Sequence, residues 1–168
     1  SIHSPIMRLD WYPEPPTWSF LCDIDSEKRE LTLRMVRDTL ERAEYFGAEY
    51  VVVHFPSPPS QEIPVDYDEL RKIAFESCYR LALLSDRYGV PIHLEGIGPS
   101  PLINTEFLSE VFTEFPKFRY CFDTGHMSLA SKREGFDLYQ FAEEMVTYVG
   151  SVHLWNIRRG FISCIRRE

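Results

Sequence analysis

The sequence predicts an α/β fold of parallel strands returned by helices, and three observations predict it. Short apolar runs alternate with helix-period stripes, two of those stripes stop at a glycine, and every strand-like run carries a His, Glu or Asp near its C-terminal end. The runs are "SIHSP", "EYVVVHFP", "VPIHLEGIG", "FRYCFDTGH" and "GSVHLWN". From Glu30 to Phe46 the apolar positions Leu33, Val36, Leu40 and Ala43 step by three and four, and Gly47 follows. From Asp66 to Tyr88 the stripe is Leu70, Ala74, Ser77, Leu81, Leu84 and Tyr88, ended by Gly89. A third helix after Asn104 places Leu108, Val111, Phe112 and Phe115 on one face. A fourth after Asp137 does the same with Leu138, Phe141, Met145 and Val149.

Right-handed crossovers leave two architectures for such a chain, an open doubly wound sheet and a (β/α) barrel. The length of 168 residues suits the open sheet, since a complete eight-stranded barrel takes about 250 residues. The chemistry of the strand ends suits the barrel. His3, His54, Glu95, Asp123 with His126, and His153 close five successive strands, and helices that return the chain put all those ends on one edge. An open sheet would string them out at about 4.8 Å per strand, whereas a curled one brings them to one mouth. Acids and imidazoles gathered there call for a divalent cation to organise them.

Imidazole nitrogen with carboxylate oxygen suits zinc, manganese or cobalt better than calcium, and the lack of Cys among the candidates argues against a closed structural zinc site. Alternation puts Val52 with His54, His93 with Glu95, and Cys121 with Asp123 on shared faces. His126 is expected past the strand end on a Thr-Gly turn, with Gly125 bending the chain so that the ring faces the mouth. Plainer uses compete: His3 as a hydrogen-bonded structural residue, His93 as a packing or supporting residue, and Asp123 as a helix cap.

Composition narrows the function classes. With 44% hydrophobic and 26% charged residues the chain is expected to be one soluble domain over 1–168. A net charge of −8 argues against duplex binding, so no nucleic-acid partner is expected. The basic "NIRRGFISCIRRE" is read as a solvated tail. Cys22, Cys78, Cys121 and Cys164 form no C-x-x-C pair, no apolar run approaches a membrane span, and no signal peptide is evident, so a cytoplasmic protein without a membrane partner is expected. The loop from Asp10 to Ile24, rich in Pro, Trp and Tyr, is long enough to act as a lid. No G-x-G-x-x-G or Walker-type loop is present to support an ordinary doubly wound nucleotide site.

In order and spacing, "VVVHFP", "IHLEGIG", "CFDTGH" and "SVHLWN" resemble the xylose isomerase-like TIM-barrel superfamily, which includes sugar-phosphate isomerases and epimerases and the endonuclease IV group. The resemblance runs from "SIHSP" to "NIRRG", and D-T-G-H is its most specific piece. It implies a partial (β/α) TIM barrel, strands 2 to 6 with their helices. It implies Glu95, Asp123 and His153 as ligands of a divalent metal (Mn, Zn or Co), with His126 on substrate or a further metal and Glu95 also an acid/base group. In "HLWNIRR", Arg159 would anchor substrate, while Asn156 stands where the epimerase branch has an acid. In the endonuclease branch His3 and His54 would hold additional zinc, but the Asp-x-His pair expected after His153 is missing.

The function implied is that of a metal-dependent sugar or sugar-phosphate isomerase or epimerase, moving a proton through an enediolate on a small sugar or polyol. Glu95 is the expected base, His126 polarises a substrate oxygen, His54 contacts substrate, and Trp11, Tyr12 or Trp18 covers the sugar face. Family members have a strand before "SIHSP" and two after "HLWN", the last with another Glu, so a chain starting at Ser1 and ending at Glu168 is expected to be a piece of a longer barrel or a truncated one. Open sheet edges then predict a homo-oligomer. The alternatives are an endonuclease IV-like zinc phosphodiesterase acting at abasic sites and an inactive, self-associating barrel fragment.

Overall fold

The computed structural model describes residues 1–5, 9–13, 18–57, 65–158 and 161–164, with backbone alone from 156 onward. Its main sheet holds β1 (Ile2–His3), β2 (Val51–His54), β3 (Ile92–Glu95), β4 (Arg119–Asp123) and β5 (Val149–His153), in that spatial order and all parallel. The helices α1 (Ser26–Tyr45), α2 (Tyr67–Tyr88), α3 (Thr105–Glu114), α4 (Thr124–Glu134) and α5 (Leu138–Met145) return the chain between them. The result is a curled half-barrel, an α/β partial TIM barrel.

Local chemistry explains where the helices begin. Asp25 accepts from the backbone N–H groups of Glu27 and Lys28, Asp66 from Asp68 and Glu69, Asn104 from Phe107, and Asp137 from Tyr139 and Gln140. The cap at Asp25 starts α1 four residues before the Glu30 expected from the apolar stripe alone. Helix α2 ends, as expected, at Gly89 in the left-handed conformation.

Alternation along the strands sorts the residues into two faces. Val51, Val53, Ile92, Leu94 and Tyr120 belong to the apolar layer between sheet and helices, with Leu40, Leu81, Leu108 and Phe107 opposite them. The other parity holds His54, His93, Glu95, Cys121 and Asp123, all buried and all on the concave side. The register carries these residues to one end: His54 sits beside Glu95, and Asp123 beside His153.

Tight packing on the concave side depends on Gly150. A Cβ there would lie 2.6 Å from the Arg119 Cβ and 2.8 Å from the His93 ring. Gly150→Ala is therefore expected to push β5 from β4 and destabilise the fold by about 1–3 kcal/mol, read as a lowered urea midpoint at unchanged slope. An unshifted midpoint would show that the strands relax at no cost.

Two expectations change. Part of the basic C-terminal segment is strand rather than tail, because Trp155–Arg158 (β6) and Phe161–Cys164 (β7) pair antiparallel. Its strand character was hidden by alternation with Arg and by the charge run. Nor is Thr124–His126 a turn, since these residues form the first turn of α4, directly abutting β4. Among the described residues no helix is long and apolar enough to cross a membrane.

Candidate metal centre

Curling brings the first and last strands of the sheet together at the mouth. In a flat sheet β1 and β5 would stand about 19 Å apart, yet the His3 and His153 rings stack with centroids 5.8 Å apart. The same curl places Glu95, only 1% exposed, at the centre of four imidazoles. His153 Nδ1 lies 2.9 Å and His3 Nε2 3.3 Å from its Oε2, while His126 Nδ1 lies 3.0 Å and His54 Nε2 3.7 Å from its Oε1.

Asp123 is the second buried acid at the mouth. Its Oδ1 accepts the His126 backbone N–H at 2.7 Å, so it caps α4, and its Oδ2 accepts the Trp155 indole N–H at 2.5 Å. Capping and facing the mouth are compatible, because Oδ2 is also 3.7 Å from His153 Nδ1 and Oδ1 is 3.8 Å from His126 Nδ1. A carboxylate has about four lone-pair sites, so these bonds leave capacity for a further partner.

The electrostatics follow from this crowding. Burial by itself would raise the Glu95 carboxyl, but hydrogen bonds from His126, His153 and His3, with the charge of His54, outweigh it and hold Glu95 far below the usual range. His153 is pushed up to about 10 by hydrogen bonds to Cys121 and Glu95. His126 is also raised: burial pulls it down, and the bond to Glu95 with the charge of Asp123 more than offsets that. Without a cation the Glu95 carboxylate is thus held by the imidazole hydrogen bonds around it.

Two three-residue sets have ligand atoms within 4.8 Å of one another, His3–Glu95–His153 and Glu95–Asp123–His126. Both contain Glu95. Carboxylate oxygens with imidazole nitrogens, at least three of them converging beside an open cavity, suit a divalent transition metal with a free position for substrate. The opening is a cavity of about 600 Å³ lined by these residues together with Val152, Leu154 and Trp155, a volume within the range of small-ligand sites.

The sequence profile described as "Xylose isomerase-like TIM barrel" matches residues 3–160. The chain belongs to this family. No curated protein matches the sequence at a significant level. Among solved structures, the apo form of 3-keto-D-glucoside 4-epimerase YcjR from E. coli is similar with a TM-score of 0.64 at 22% identity, covering 80% of this chain and 54% of that one. D-psicose 3-epimerase with D-tagatose, from Clostridium cellulolyticum H10, gives 0.62 at 20% identity, over 80% and 48%. The IolI protein with a bound zinc atom gives 0.64 at 19%, over 86% and 52%. These likenesses show the fold, and the chain spans about half the length of each of those proteins.

Glu95, Asp123, His126, His153, His3 and His54 all reach the mouth. Trp11 is not among the residues lining it. It packs beside Tyr12, with the Arg34 guanidinium 4.2 Å above its ring, in a small apolar cluster against α1 that also holds Phe20 and Met35. Arg159 lies outside the described residues. His93 lies one step deeper than Glu95, stacked 3.8 Å from the Tyr50 ring and 2.8 Å from Ser151 Oγ, where burial and the nearby Arg119 charge lower it to about 4.

Two neighbours of the site were not singled out from the sequence. Cys121 Sγ lies 3.8 Å from Glu95 Oε2, beneath the cluster. Trp155 reaches Asp123; its parity with His153 was the available signal.

Proposed function

We propose that this chain carries the metal-binding half of a sugar isomerase or epimerase, with Glu95, Asp123 and His153 holding a divalent cation at the mouth. The observation that supports it most is the single carboxylate of Glu95 shared by two convergent donor sets, with a cavity above it. When bound, the cation supplies positive charge that steadies negative oxygen developing on an open-chain sugar. The residues of the chain do the rest.

Glu95 receives the proton from the carbon beside the carbonyl; in the cation-free chain, against the raising effect of burial, hydrogen bonds from His126, His153 and His3 hold its carboxyl low. His126, reaching the mouth from the first turn of α4, hydrogen-bonds a substrate oxygen. His54 borders the same space and orients the sugar. The substrate class is a small ketose, aldose or their phosphates, and the edges of the half-barrel favour self-association.

The test is solvent exchange. Incubating the Mn²⁺-loaded protein with a panel of ketoses in deuterium oxide is expected to place deuterium on the carbon next to the carbonyl, and Glu95→Gln should abolish it. Cation binding without exchange in any sugar would leave a metal-binding half-barrel and overturn the isomerase reading. One arrangement favours a second reading: His3 and His54, with ring centroids 4.6 Å apart, both face Glu95. That is the placement a zinc phosphodiesterase of the endonuclease kind would use, and cleavage of an abasic oligonucleotide distinguishes it.

A further inference from the structure

The four residues of the D-T-G-H motif share a partner that the cation reading leaves unused. Asp123 Oδ2 accepts the Trp155 indole N–H at 2.5 Å. Thr124 Oγ1 accepts the Trp155 backbone N–H at 3.2 Å and donates to the Trp155 carbonyl at 2.8 Å. Gly125 leaves room for the ring, since a Cβ there would fall 2.3 Å from Trp155 Cε2. His126 meets the indole edge-on, with centroids 5.2 Å apart at 90°.

We infer that Trp155 is a positioning residue, seated by the whole D-T-G-H motif, that fixes the Asp123 carboxylate and the His126 ring in the orientation the cation site needs. The inference rests on the cation reading above. Its physical basis is that Asp123 has one oxygen fixed by the end of α4 and the other by the indole. Both carboxylate torsions are then set before a cation arrives, and a ligand held by such a partner loses less freedom on binding. The seat is also reciprocal. The three atoms nearest a Cβ at Gly125 all belong to this ring, and Gly125 lies in the first turn of α4, so its lack of a side chain is explained by Trp155 rather than by a loop turn.

The experiment is calorimetric titration of metal-stripped protein with Mn²⁺ and Zn²⁺, on wild type, Trp155→Phe, Gly125→Ala, Trp155→Ala and the Gly125→Ala/Trp155→Ala double variant. Trp155→Phe keeps an aromatic ring, smaller than the indole, but removes the N–H, and its affinity should fall about 10- to 100-fold while circular dichroism shows the fold retained. Gly125→Ala should weaken binding similarly. In the Trp155→Ala background the same substitution should add little, because the space it needs is already empty.

Trp155→Phe binding as tightly as wild type would overturn the inference and leave the cation reading standing. A wild-type chain that binds neither ion would overturn the cation reading, and this inference with it. If Trp155→Phe does not fold, the indole N–H resonance of ¹⁵N-labelled intact chain decides: it should move on Asp123→Asn and on cation addition, and a resonance unmoved by both would overturn the inference.

Discussion

Titrating the metal-stripped chain with Mn²⁺ or Zn²⁺ is expected to give tight binding near one ion per chain, lost in Asp123→Asn. The amide keeps the size of the carboxylate and can still accept the His126 N–H that caps α4, so the fold should survive. It lacks the charge, and it replaces an acceptor oxygen with an NH₂ that either faces the Trp155 indole donor or faces the cation. The loss should exceed the roughly 10- to 100-fold that removing a supporting hydrogen bond brings. Binding indifferent to Asp123 would move the site to the His3–Glu95–His153 set, which does not use this residue. No binding to the wild type would mean that the mouth holds a network of acids and imidazoles and nothing more.

The second large effect concerns pH and Glu95. In the cation-free chain His153 sits near 10, held up by Cys121 and Glu95. A histidine raised in the folded state contributes stability that is complete below its unfolded value of about 6.5 and is lost as pH rises through the folded one. The stability from His153 should therefore fade between about 6.5 and 10. Glu95 has the opposite sign. Burial raises its carboxyl, the imidazole bonds lower it further, and the net lowering contributes stability above its unfolded value of about 4.3 that is lost as pH falls.

Glu95→Gln removes the Glu95 titration itself and one of the causes, after Cys121, that raise His153. Its melting temperature should decline less between pH 7 and 10 than that of the wild type, and the His153 ring protons should titrate below 10 by NMR. Because Glu95 belongs to both donor sets, the variant should also bind no cation. A His153 that still titrates near 10 in Glu95→Gln would assign its shift to Cys121 alone, in line with the order of causes at that residue.

How much of this was readable in advance differs by element. The stripes of α1 and α2 are long and keep the 3.6-residue period, so Leu33, Val36, Leu40 and Ala43 in one, and Leu70, Ala74, Ser77 and Leu81 in the other, are buried as expected. Helix α4 went unread because "TGHMSLASKRE" buries only Gly125, Met127 and Ala130, too few for a stripe. It also follows β4 with no loop between, so its first turn reads as the end of the strand. The pairing of β6 with β7 was concealed by its charges.

The sequence by itself determined the βα alternation, the parity that turns His54, Glu95 and Asp123 to one face, and the presence of acids and imidazoles at successive strand ends. Those properties are local: they depend on periods of 2 and 3.6 residues and on capping side chains a few positions away. Only the tertiary structure decided the rest. It curled the sheet until His3 and His153 stacked, made Glu95 the shared centre, kept Trp11 against α1, and gave Gly125 its purpose as the seat of Trp155. Each of these joins residues from different strands, loops or helices, and their approach is fixed by sheet curvature and packing, which no short window of sequence encodes.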